Sequence, residues 1–288
     1  MERDYAVGIL QREAERVLQL ANVDGADLSA PVPSCPDWDF TGLLKHVGNV
    51  YNWAGTIVAG PLDAPPGPEL PRRPDGMSPQ DWLADRLDRI LTVLRDVPDD
   101  ADMWNLSAAS HGPPAFWWRR QVHETIIHRV DAELACSVPV SALEPELAAD
   151  NVSELFEIMR FSEPEPTTEP EAASGGGVAG SPASNGATAT DPDPDPATAT
   201  PTDRANTAAT ETDTALRIHL HATDLEGAEW TIDTVARTIA QTHSKGDVAL
   251  RGTAWALARW CWGRPVGGEL EVFGNLENAE AWRRTVAP

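Results

Sequence analysis

Between residues 162 and 214 the chain carries almost no large apolar side chain, and this one stretch limits how everything around it can fold. It contains Ser174-Gly175-Gly176-Gly177 and the alternating run Asp191-Pro192-Asp193-Pro194-Asp195-Pro196. Such a composition cannot bury enough apolar surface to offset the entropy lost on ordering. A disordered acidic linker of about fifty residues is therefore predicted. It divides the 288-residue chain into residues 1–161 and residues 215–288, each able to bury a core of its own, and it leaves the two free to separate.

The two halves are patterned differently. In the first, apolar residues recur with a 3.6-residue period near 3–21, 39–59, 78–97, 114–137 and 144–160, which predicts five helices. Ser78-Pro79-Gln80-Asp81 marks one start well, with an N-cap, a proline at the first helical position and an acidic third residue. Four long helices and a fifth suggest a helix bundle. In the second half, residues 216–222 alternate between apolar and polar, and 229–233 and 270–273 read as further short strands. Helices are expected over 253–262 and 278–286, giving a small α+β domain.

The net charge is −23, and a field of that sign opposes binding to nucleic-acid phosphates. Residues 162–214 alone contribute ten acidic side chains against Arg204. No run of 18 apolar residues suits a membrane span, and the N-terminus lacks the order of a signal peptide. A soluble, cytoplasmic, monomeric protein is expected, with neither membrane nor nucleic acid as partner. Cys35, Cys136 and Cys261 are too few and too scattered for a disulfide framework or a cysteine-rich zinc site, and read as free thiols, mostly in the core.

The most chemical stretch is His123-Glu124-Thr125-Ile126-Ile127-His128. It misses the zinc-protease HExxH pattern by one residue, because Ile127 stands where the second histidine belongs. At ~100° per residue, His123 and His128 lie roughly 140° apart around a helix, whereas Glu124 and His128 lie roughly 40° apart. Carboxylate plus imidazole is thus the pair that shares a face. A third ligand is needed, and His46 is the candidate, at the edge of the apolar stripe formed by Phe40, Leu43, Leu44, Val47 and Val50. Two imidazoles, one carboxylate and an open position make a catalytic zinc arrangement. The bland alternatives are a hydrogen-bonded core histidine for His46 and a solvated helix face for Glu124 and His128. His219 and His221 share one face of an alternating strand but show no third partner, so they read as strand residues. Trp117, seven before Glu124, could wall the pocket or belong to the core.

Cys35-Pro36-Asp37-Trp38, the helix with His46, the run from Arg119 to Glu133, Arg251-Gly252-Thr253-Ala254 and Trp262-Gly263-Arg264 together resemble the mycothiol-dependent maleylpyruvate isomerase family. The resemblance implies an N-terminal DinB-like four-helix bundle that binds metal, joined to a small C-terminal α+β domain similar to sterol carrier protein; only the linker is foreign. It places the metal ligands on His46, Glu124 and His128. It further implies Zn2+ or another divalent metal, and mycothiol, the small thiol of actinobacteria, as cosubstrate. The expected activity is thiol activation for addition to an electrophilic, anionic substrate, either a maleylpyruvate-type isomerisation or a thiol transfer. The family also suggests a small-domain arginine for the substrate carboxylate, and Arg251 is the candidate. Asp131, three residues after His128, could accept from that ring's second nitrogen, or it could be solvated or paired with Arg129. A non-catalytic metal- and thiol-binding or regulatory module is the alternative. A metal hydrolase with Glu124 as base is disfavoured, since a carboxylate that ligates the metal cannot readily serve as that base.

Overall fold

The computed structural model describes residues 1–67, 70–159, 161 and 215–286; the linker expected over 162–214 lies outside the described residues. The first part holds α1 (Arg3–Asn22), α2 (Phe40–Ala59), α3 (Pro79–Asp96), α4 (Ala115–Ala135) and α5 (Pro145–Ile158). Local chemistry sets the starts. Asp39 accepts from the Gly42 backbone N–H at 2.7 Å to cap α2, and Ser78 accepts from that of Asp81 at 3.0 Å to cap α3, with Pro79 in the first turn. α1 and α2 each pack against both α3 and α4, which closes a four-helix bundle. Leu10, Leu44, Ile90 and Val122, one from each helix, are fully buried inside it. At Gly48 a Cβ would stand 2.4 Å from Trp82 Cδ1, so α2 and α3 approach as closely as they do only because no side chain intervenes. A two-residue ladder, β1 (Met103–Trp104) with β2 (His111–Gly112), falls outside the predicted elements.

α4 is unlike the other helices. Nearly every residue from Trp117 to Glu133 is buried, including Arg120, His123, Glu124, His128, Arg129, Asp131 and Glu133. Buried charge on this scale must be paired: Arg129, for example, donates to Glu133 at 2.7 Å and forms an ion pair with Glu13 at 2.6 Å. Outside the bundle the helix is covered by α5, through Asp150 and Glu154, and by the second part of the chain, through Trp255, Trp262 and Arg264.

That second part is a sheet of β3 (Arg217–Ala222), β4 (Glu229–Asp233), β5 (Thr238–Ala240), β6 (Val248–Gly252) and β7 (Glu271–Gly274), with α6 (Ala254–Cys261) and α7 (Leu276–Val286). Among the described residues the strand order is β5-β4-β3-β6-β7. β3 and β6 run parallel and the other neighbours antiparallel. β5 and β6 were absent from the sequence expectation. Ile218, Leu220, Trp230, Ile232, Val248 and Leu250 form the buried face, against which α6 packs.

The halves do not stand apart. α5 packs on α6, Trp255 Nε1 donates to the Ser141 carbonyl at 3.1 Å, and Trp230 Nε1 donates to Ser153 Oγ at 3.2 Å. The rings of Phe156 and Trp282 lie parallel, with centroids 6.4 Å apart. The buried apolar residues of the two halves form one connected cluster. Among the described residues no helix is long and apolar enough to cross a membrane.

Candidate metal centre

α2 and α4 bring His46, Glu124 and His128 together. Glu124 Oε1 lies 3.1 Å from His128 Nε2 and 3.3 Å from His46 Nε2, and the three donor atoms are all within 4.8 Å of one another. Ligands ~2.1 Å from a tetrahedral zinc stand ~3.4 Å apart, so the donor set fits such an ion with small adjustment. The His46 and His128 rings meet edge to face at 4.8 Å. His46 keeps 18% of its side-chain exposure, which puts the cluster at the rim of the bundle rather than sealed inside it.

The surroundings orient two of the three donors, His128 and Glu124. His128 Nδ1 is 2.9 Å from Asp131 Oδ2. Burial alone would push the Asp131 carboxyl up, but the charge of Arg264 and the bond to His128 outweigh it and hold the carboxyl far below its usual range. An ionised carboxylate only accepts, so Nδ1 carries a proton and its bond to Asp131 turns Nε2 toward the cluster. Arg120 takes the second oxygen of Glu124 and bonds Glu154 at 3.1 Å, leaving Glu124 a single oxygen to offer. Burial alone would push the Glu124 carboxyl up, but Arg120 and the two imidazoles bring it well below the ordinary value. Burial likewise opposes charge on His128, yet Glu124 and Asp131 raise its pKa to about 9. At His46 burial prevails over Glu124, and the pKa falls.

Arg264 enters from the second half. Its Nε and Nη2 form a fork on Asp131, at 3.0 and 2.7 Å, in an environment closed to solvent. Ser34 Oγ donates to the same carboxylate. The loop before α2 thereby folds over α4 and lays Trp38 on the rings, with centroids 4.5 Å from His46 and 6.0 Å from His128. Cys35 stands beside this fork, its Sγ 4.0 Å from both Asp131 Oδ2 and Arg264 Nη2.

Several candidates go elsewhere. Arg251 is at the far end of α6 from Arg264, half-exposed and paired with Glu271 at 3.0 Å; eight helical residues span ~12 Å, so the small-domain arginine at this cluster is Arg264. Arg129 pairs with Glu13 and Glu133, not with Asp131. His123 turns to α5, with Nε2 2.8 Å from Asp150. Trp117 is fully buried beside Trp53, Trp104 and Phe116, and Trp38 is the aromatic wall instead. His111 Nε2 lies 3.0 Å from the Asp63 carbonyl. His219 and His221 do have further partners, for Glu229 and His243 join them in a second group of donor atoms. Of the residues overlooked, Arg120 stands four before Glu124, an i,i+4 ion pair that spacing alone offered.

Residues 10–133 match the family model of the mycothiol maleylpyruvate isomerase N-terminal domain. The crystal structure of the mycothiol-dependent maleylpyruvate isomerase is similar over 94% of this chain and 93% of its own, at 13% identity and a TM-score of 0.50. A histidine-to-alanine variant of that enzyme gives 12% identity, the same coverage and a TM-score of 0.49. At such identity the likeness speaks of the fold: helices first, then a small domain of sheet and helix. No curated protein matches the chain.

Proposed function

We propose, from the match of residues 10–133 to the mycothiol maleylpyruvate isomerase N-terminal domain model, that the protein is a metal-dependent enzyme in which a small thiol, mycothiol, adds to an electrophilic, anionic substrate. His46, Glu124 and His128 would hold one divalent ion, zinc by the character of two imidazoles and a carboxylate. The observation that carries this reading is the convergence of two Nε2 atoms on one Glu124 oxygen, at 3.1 and 3.3 Å. When bound, such an ion stabilises the thiolate form of a thiol at neutral pH, and so supplies a nucleophile.

The chain's own residues prepare that position. Asp131 fixes the His128 tautomer, and Arg264 fixes Asp131. Arg120 takes up the second oxygen of Glu124 and so limits it to one ligand atom. Trp38 lies against the His46 ring. Two of the protein's own thiols are poor sources of that nucleophile: burial pushes the Cys261 thiol up to about 12 and also raises that of Cys136.

Isomerisation and thiol transfer share this first addition, and differ in whether the thiol leaves again. The test is elemental analysis coupled to turnover. Purified protein should hold one more equivalent of zinc than His46→Ala or His128→Ala does, and as much as His123→Ala. Turnover of an unsaturated acid should require free mycothiol and persist when Cys35, Cys136 and Cys261 are replaced by Ser. Thiol bound without turnover of any electrophile would leave a binding module, and turnover without thiol would end the proposal.

A further inference from the structure

The sheet of the second half has two faces, and only one is taken up by α6. Along β3 the residues alternate, so that Ile218 and Leu220 enter the core while His219 and His221 point the other way. The antiparallel register sets Glu229 of β4 opposite His221, and Thr231 opposite His219. Residues 241–247 then connect β5, at one edge, to β6 on the far side of β3. This crossover passes over the histidine face. Its path is pinned twice: Thr231 Oγ1 donates to the Thr242 carbonyl at 3.0 Å and lies 2.9 Å from Ser244 Oγ, and Asp247 N donates to the Arg217 carbonyl at 2.7 Å. Between those anchors stands His243.

The result is three imidazoles around one carboxylate. Glu229 Oε2 is 3.0 Å from His219 Nε2 and 2.6 Å from His243 Nδ1, and Oε1 is 2.9 Å from His221 Nδ1. All four donor groups fall within 4.8 Å of one another. The His219 and His243 rings stand at 89°, with centroids 5.1 Å apart, so their nitrogens approach from different directions. Arg251, beside His221 in the parallel register, has its charge answered by Glu271.

We infer that His219, His221, Glu229 and His243 form a second site, for a single divalent transition-metal ion such as zinc, which clamps the β5–β6 crossover to the sheet. The donor set decides the class of ion. Imidazole suits zinc, cobalt, nickel and copper, and is a poor ligand for magnesium or calcium. Four protein ligands also leave no open position on a tetrahedral ion, which is the pattern of a structural site rather than a catalytic one. The inference rests on none of the residues of the first centre.

The probe is Zn2+ itself, added to the full chain at a free concentration buffered by chelator below that at which isolated carboxylates bind. The wild type should hold two ions. A His46→Ala/His128→Ala background should hold one, and cobalt in that background should show the visible absorption of a tetrahedral site. His243→Ala removes a side chain 78% exposed, so it leaves the core untouched. In the background it should weaken zinc binding by more than the ~100-fold that loss of an outer partner produces, and His221→Ala should do the same. Zinc should also slow amide hydrogen exchange across 241–247 in the background and not in the His243→Ala variant. A background protein that holds no zinc, or that holds it equally well without His221 and His243, overturns the site. Failure of the first centre alone would look different: one ion in the wild type, lost with His243 and kept without His128.

Discussion

Replacing Arg264 by methionine should destabilise the chain by about 3–5 kcal/mol, the range seen when one partner of a buried ion pair is removed. The structure places this case inside that range rather than near the zero expected of surface pairs. Asp131 is completely buried, the fork is two-pronged at 2.7 and 3.0 Å, and the pair joins α4 to the segment after α6. Methionine keeps the apolar stem and about the same bulk, so the change isolates the charge. What remains for Asp131 is His128 and Ser34. Asp131→Asn should cost a similar amount, and the double variant should cost about 2 kcal/mol less than the sum of the singles, because each half of the pair is harmful mainly when left alone. Urea denaturation of the full chain at neutral pH, followed by circular dichroism, supplies all four corners of the cycle. A second readout separates charge from packing: with Arg264 gone, the His128 imidazole faces two carboxylates with one fewer neighbouring cation, and its pKa in the metal-free protein should rise, as NMR titration would show. A loss below 1 kcal/mol for Arg264→Met, or strict additivity in the cycle, would refute the argument that this fork holds Asp131 in place.

Metal-free His128, with its pKa at about 9, is protonated at pH 7.5, while burial lowers that of His46. Zinc at the first centre should therefore release about one proton, and its apparent affinity should climb roughly tenfold per pH unit up to about pH 9; calorimetry in buffers of different ionisation enthalpy measures this, and zero release would contradict it. The sign for folding runs the other way: the metal-free protein should lose the stability of the His128 pairs as pH rises from about 6.5 to about 9, because the folded-state pKa lies above the unfolded one. Cleavage at a protease site inserted within 162–214 should leave the two parts co-eluting on size exclusion, since Arg264–Asp131, Trp255–Ser141 and Trp230–Ser153 join them independently of the linker; fragments that part without denaturant would count against that interface.

How much of this was legible in the sequence follows from how far apart the cooperating residues lie. The five N-terminal helices were readable to within about two residues, since long apolar stripes and caps such as Ser78-Pro79 are local signals. β5 was not, being only three residues long, and neither was β6, although it is as long as β4; a short strand is set by its neighbours more than by its own pattern. The pairing of Glu124 with His128 could be read from spacing on one helix. Arg264, which bonds Asp131 across 133 positions, could not, because nothing in the chain says which end of α6 faces α4. The same logic explains His219 and His221. Strand alternation put them on one face, but the partners that make a four-ligand group come from a cross-strand register, for Glu229, and from a crossover, for His243. A third ligand sought within a few positions will be found only when the site lies on one element, and both of these sites lie on more than one.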